Sequence, residues 1–258
     1  MNLSLSGRRA IVCGSTSGIG RACAQLLAER GASVVLAARD EEKLISTVNS
    51  LDGDDHSYIC ADFNDPENLR LKTIDHINKT GVIHILMNNS GGPPGGPLIE
   101  ANPDEFEIAF KRHVISSHIL TQAVVPGMKE KGYGRIINII STSVNQVIPG
   151  LGVSNTIRGA VAQWVKTLAI ELGPYGITAN NVLPGYIDTD RLKNLLEKSA
   201  KDKNITYDQM VTETEKKTAL GRIGLPTEVA SAVAFIASDA GGYISGTNFS
   251  VDGGRFGI

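Results

Sequence analysis

With 258 residues, 41% of them hydrophobic and 20% charged, the chain has the length and apolar content for one large α/β domain. A formal net charge of −2 excludes an electrostatic case for nucleic acid or an anionic membrane as partner. The opening MNLSLSGRRAIV lacks a signal-peptide core, no run approaches the roughly 18 apolar residues of a membrane span, and Cys13, Cys23 and Cys60 sit at no metal-ligand spacing, so a cytoplasmic, metal-free protein with inert thiols is expected.

The first element is a buried strand, RAIVC (9–13). A helix follows over 18–30, with Ile19, Cys23, Leu26 and Leu27 on one face and Gly31 as its stop. SVVLAA (33–38) is the second strand, and the helix after it begins with the charged DEEK. SYICA (57–61), VIHILMN (82–88), RIINII (135–140) and GITANNVL (176–183) continue the strand series. Helical patterns fill 103–131 and 155–173 between them. PTEVASAVAFIAS (226–238) reads as a late helix and TNFSV (247–251) as a seventh strand. Strands apolar on both faces, alternating with amphipathic helices, predict an α/β fold with a mostly parallel seven-stranded sheet covered on both sides. Residues 190–218 break the rhythm with a highly charged run, which is either a solvated helical excursion or a lid over a substrate cleft.

CGSTSGIG (13–20) joins the first strand to the first helix. Gly14 permits the tight turn, while Gly18 and Gly20 let backbone approach ligand and sheet. Ser15, Ser17 and Ile19 complete a loop whose free N–H groups would face a pyrophosphate. After the second strand, Arg39 stands where an adenosine ribose would lie. A guanidinium there suits a 2′-phosphate, which favours NADP(H), with NAD(H) the alternative; a plain surface arginine is the other reading. Asp62, followed by Phe63, either accepts from an adenine amino group or caps the helix starting near Pro66. SGGPPGGPLIE (90–100) is a stiff pocket wall or a surface turn.

The motifs CGSTSGIG, NNSG (88–91), GRIINIIS (134–141), PGYIDT (184–189), GRIGLPTEVASAVAFIASD (221–239) and SGTNFSVDGG (245–254) occur in an order that resembles the short-chain dehydrogenase/reductases. The resemblance covers about residues 3 to 254 and is greatest to the 3-oxoacyl-[acyl-carrier-protein] reductase group. It implies a single Rossmann-type doubly wound domain over 1–258, a nicotinamide cofactor, a small carbonyl or alcohol substrate, and a homotetramer or homodimer packed through the VDGG region. It also places Asn89, Ser90 and Gly91 along the cofactor, with Pro184, Gly185, Ile187 and Thr189 bordering the nicotinamide.

Several positions depart from the family pattern. Cys13 replaces Thr, and NNSG replaces NNAG. Of the catalytic set Asn, Ser, Tyr and Lys, only the serine is kept, as Ser141; the others fall on His113, Ser154 and Arg158. A serine hydroxyl is far less acidic than a phenol and reaches less far. Arg158 keeps the charge but relays no proton readily. His113 is a structural histidine or part of a rebuilt proton path. General acid catalysis supplies about 10²–10⁴-fold, so its loss would slow turnover without touching cofactor binding. The expected function is an NADP(H)-preferring oxidoreductase in which Ser141 polarises a carbonyl and Arg158 anchors the ribose. Tyr186, His113 or a substrate group could then supply the proton. The alternative is an inactive nucleotide-binding or scaffolding protein of the same fold.

Overall fold

The computed structural model describes residues 2–255. The strand-length apolar runs become β1 (Arg9–Cys13), β2 (Ser33–Ala38), β3 (Ser57–Cys60), β4 (Ile85–Asn88), β5 (Gly134–Ile139), β6 (Ile177–Pro184) and β7 (Asn248–Val251). They form one sheet in the order β3-β2-β1-β4-β5-β6-β7, and every neighbouring pair is parallel. The order reverses between β1 and β4, which opens a crevice beyond their carboxyl ends.

The helices are α1 (Gly18–Glu29), α2 (Glu41–Val48), α3 (Pro66–Thr80), α4 (Pro103–Phe110), α5 (Ser116–Lys131), α6 (Gly152–Leu172), α7 (Asp190–Lys203), α8 (Tyr207–Glu215) and α9 (Pro226–Ala237). On one face of the sheet, Cys23 and Leu27 of α1 and Val229 and Val233 of α9 pack on Val12, Leu36, Met87 and Val182. On the other face, Leu69 of α3, Leu120 of α5 and Val165 of α6 pack on Ile11, Leu86 and Ile136. Burial on both faces is why the strands carry no polar alternation. Each fully buried Leu contributes about 1.5–3 kcal/mol, and Leu27→Ala would cost about 2–5 kcal/mol.

Beyond shifts of one to three residues at strand ends, the structure refines the sequence expectation in three stretches. The 103–131 stretch is not one helix: a π-helical turn over Lys111–Ile115 separates α4 from α5 and carries His113. α6 begins at Gly152 rather than 155, so Ser154 and Arg158 lie one turn apart inside the same helix. The charged 190–218 segment folds as α7 and α8, with Asn204 at φ 55° ending α7. Leu192, Leu196, Ala200 and Met210 give this pair its own small core.

One lateral row is polar. Asn88, Asn138, Asn181 and Asn248 stand in register across β4 to β7. Asn88 donates to Asn138 Oδ1 at 3.0 Å, and Asn181 donates to Asn248 Oδ1 at 2.9 Å. A slip of one residue would move these amides into an apolar layer, so they pin the register. Among the described residues, no helix is long and apolar enough to cross a membrane.

Candidate functional site

The phosphate loop is shaped by close backbone approach. Gly14 has φ +59°, and a Cβ there would lie 2.8 Å from both the Asn89 side chain and its carbonyl. A Cβ on Gly20 would collide with the Gly14 carbonyl. Asn89 locks the turn by donating to the Cys13 carbonyl at 3.2 Å. The first turn of α1 has no side-chain cap and no acid, so its N–H groups and the positive end of the helix dipole face the crevice. This chemistry fits a pyrophosphate.

A cleft of about 510 Å³ runs along the carboxyl ends of the strands. Its floor at the β1 end is Gly14, Ser17, Gly18, Ile19 and Gly20. Arg39, Asp62 and Phe63 line one end, and Asn89, Ser90 and Gly91 the middle. Pro184, Gly185, Ile187 and Thr189 line the β6 side, facing Ser141, Ser154 and Arg158. Ser15 is the exception within the loop: it is wholly buried, and its hydroxyl does not reach the cleft. Asp62 is not the cap of α3. That role falls to Asp65, which accepts from Asn68 N at 3.2 Å, while Asp62 accepts from Asn64 N at 2.9 Å.

Ser141 leaves β5 in extended conformation, and its Oγ accepts from Ser143 N at 3.1 Å. Its hydroxyl proton is therefore left for another acceptor. Ser154 and Arg158 project from the same face of α6 and are only 6% and 8% exposed. Arg158 Nη1 donates to the Ile139 carbonyl at 2.9 Å. Burial first, and then the charge of Arg191, push the Arg158 guanidinium down to about 10, so it remains a cation at neutral pH.

His113 lies behind this wall. It borders a second cavity of about 10 Å³ together with Asn88, Ser117, Asn138 and Arg158. That is the size and polarity suited to one water. His113 Nδ1 and Ser90 Oγ are 2.6 Å apart, while the buried Nε2 has no protein partner. Burial, and then the charges of Arg158, Arg112 and Arg191, push His113 down to about 2. The imidazole is thus neutral near pH 7, which favours the structural reading of His113 over a cationic acid in a rebuilt proton path.

Three cleft residues, Arg112, Arg191 and Arg255, lay outside the motifs. Arg112 donates to Asn64 Oδ1 at 3.1 Å and to the Gly91 carbonyl at 3.4 Å. Arg191, at the start of α7, donates to the carbonyls of Gly92 and Pro93 at 3.1 and 3.2 Å. It ties the charged segment to the glycine–proline loop. Tyr186 lines the cleft, with the Arg255 guanidinium 3.9 Å from its ring centre. Tyr175 lies outside the cleft, under Lys129. Only the position of Arg191 directly after PGYIDTD hinted at its place.

Comparison with known proteins identifies the family. A family model described as enoyl-(acyl carrier protein) reductase matches residues 14–255. The chain is 33% identical over 254 residues to the 3-oxoacyl-[acyl-carrier-protein] reductase FabG of Vibrio cholerae, covering 98% of this chain and 99% of that one. Among solved structures, L-sorbose reductase from Gluconobacter frateurii, complexed with NADPH and L-sorbose, is similar at TM-score 0.94 and 28% identity, covering 100% of both chains. Gluconate 5-dehydrogenase from Burkholderia cenocepacia J2315, in complex with NADP and tartrate, is similar at TM-score 0.89 and 30% identity, covering 100% of this chain and 98% of that one. Matched from the glycine loop to Arg255, the chain belongs to the short-chain dehydrogenase/reductase family of oxidoreductases.

Proposed function

We propose that the protein is an NADP(H)-preferring reductase of small carbonyl compounds, or dehydrogenase of the matching secondary alcohols, working with an altered catalytic set. The observation that carries this reading is the convergence of Ser141, Ser154 and Arg158 on one wall of the cleft that the glycine loop opens. Arg39, exposed beyond β2, would hold the 2′-phosphate. The similar L-sorbose reductase and gluconate 5-dehydrogenase, solved with NADPH and NADP, support that preference. A bound nicotinamide supplies the hydride.

The chain's own groups have the following parts. Ser141, its oxygen already accepting a backbone N–H, directs its hydroxyl proton at the carbonyl oxygen of the substrate. Arg158, held by the Ile139 carbonyl, turns its remaining N–H groups toward ribose hydroxyls and the developing oxyanion. Ser154 lines the site with a short hydroxyl that positions a water where a phenol would otherwise reach; that water gives its proton to the oxyanion, and the hydroxide left is reprotonated from solvent. His113 acts as a neutral group that steadies Ser90, not as a cationic acid. The first turn of α7, anchored by Arg191, closes part of the cleft mouth as a substrate lid. Three free cysteines, two of them buried, agree with a cytosolic protein, and the family resemblance extends the reading to a homotetramer or homodimer.

The test is turnover of NADPH against a panel of ketones, aldehydes and alcohols from pH 5 to 10, with Ser154→Tyr/Arg158→Lys run beside the native protein. Native activity that drops in the double variant by 10-fold or more, on the order expected for a mismatched acid–base set, supports an adapted site. A protein that binds NADPH yet turns over nothing, and gains activity only in the double variant, sinks the reading.

A further inference from the structure

The two ends of the cleft differ in charge. At the adenosine end Arg39 stands with Asp62. At the end holding Ser141 and Ser154 the charged lining residues are Arg158, Arg191 and Arg255, against one lining acid, the exposed Asp190, with Asp252 close enough to act on Arg255 from outside the lining. This is local, because the chain as a whole carries −2. Among the described residues, neither Arg158 nor Arg191 takes part in an ion pair. Arg158 is 8% exposed and rests on one backbone carbonyl, and Arg191 rests on two. Carbonyls solvate a cation but do not neutralise it. The buried, uncompensated guanidinium of Arg158 is costly unless a counter-charge arrives, whereas Arg191 is exposed at the cleft mouth, where an incoming anion meets it first. The field is strong enough at His113 for Arg158, Arg112 and Arg191 all to disfavour its protonated form.

Resting on the reading above, we propose that the substrate is an oxo acid, its carbonyl at Ser141 and Arg158 and its carboxylate on the side of Arg191 and Arg255. The planar guanidinium fork matches a carboxylate with two parallel hydrogen bonds. The low-dielectric walls of the cleft concentrate anions at its mouth. The Arg255 guanidinium lies over the Tyr186 ring, 3.9 Å from its centre, which restrains it at the cleft wall.

The test uses the native protein with NADPH and three probes, 2-, 3- and 4-oxopentanoate, each beside its methyl ester. In parallel, succinate and succinamide are titrated calorimetrically into the NADP⁺-loaded protein. At least one acid should exceed its ester about 100-fold in kcat/KM, mainly through KM, consistent with a charge-assisted pair of about 1.5–3 kcal/mol. That preference should shrink about 10-fold or more in Arg191→Met, and again at high salt, while succinate but not succinamide binds. Esters reduced as well as acids, with no succinate binding, overturn the oxo-acid assignment and leave the reductase reading standing. Succinate binding with no carbonyl reduced leaves the anion subsite and sinks the reductase reading. Neither binding nor turnover overturns both.

Discussion

Ser90 Oγ and His113 Nδ1 lie 2.6 Å apart, so two residues that are 23 positions apart in the chain are one hydrogen-bonded pair. The hydroxyl of one and the imidazole of the other satisfy each other in the protein interior. Removing one alone leaves a buried polar group without its partner.

The pair should therefore be energetically coupled. Ser90→Ala and His113→Asn should each cost about 1–3 kcal/mol of stability, and the double variant less than their sum by about 0.5–3 kcal/mol. Urea unfolding of the four proteins measures the cycle. Strict additivity would show that the short contact carries no energy.

His113 also makes stability depend on pH in a known direction. The unfolded chain takes up this proton below about 6.5, whereas the folded chain holds it off down to about 2. Between those values the unfolded state binds more protons, so stability falls as the pH drops, by at most roughly 1.4 kcal/mol per unit. His113→Asn should flatten the stability curve between pH 4 and 6, as read by thermal unfolding. An unchanged slope would place the acid sensitivity elsewhere.

Gly20 has no room for a side chain, because a Cβ would run into the Gly14 carbonyl. Gly20→Ala should abolish NADPH binding and destabilise the fold by about 1–3 kcal/mol through overpacking. Cofactor fluorescence and melting temperature report the two effects separately. Native-like NADPH affinity in this variant would remove the glycine loop from the cofactor site.

Arg39 is exposed at the adenosine end of the cleft. Arg39→Ala should weaken NADPH about 10- to 100-fold, the range for losing a charge-assisted phosphate contact, and leave NADH nearly unchanged. Equal losses for both cofactors would remove Arg39 from 2′-phosphate recognition.

The strand series was readable because a strand buried on both faces must be apolar throughout, as Ile11, Val12, Leu86 and Met87 show. The glycine loop was readable because only glycine tolerates the positive φ and close approach found at Gly14. The π-helical turn at His113 was not readable, since its side-chain pattern continues that of the flanking helices.

Local backbone preference and the exclusion of apolar side chains from water are written residue by residue, and by themselves they determined the sheet and the glycine cradle, while the family resemblance pointed to Ser141, Ser154 and Arg158. Partnerships across distant strand ends depend on strand order and helix crossing. Only the tertiary structure could decide that His113 meets Ser90, that Arg191 reaches the carbonyls of Gly92 and Pro93, and that Arg255 stacks on Tyr186. The charge of the cleft was decided at the same level, because arginines far apart in the chain act together only once the fold has removed the water between them.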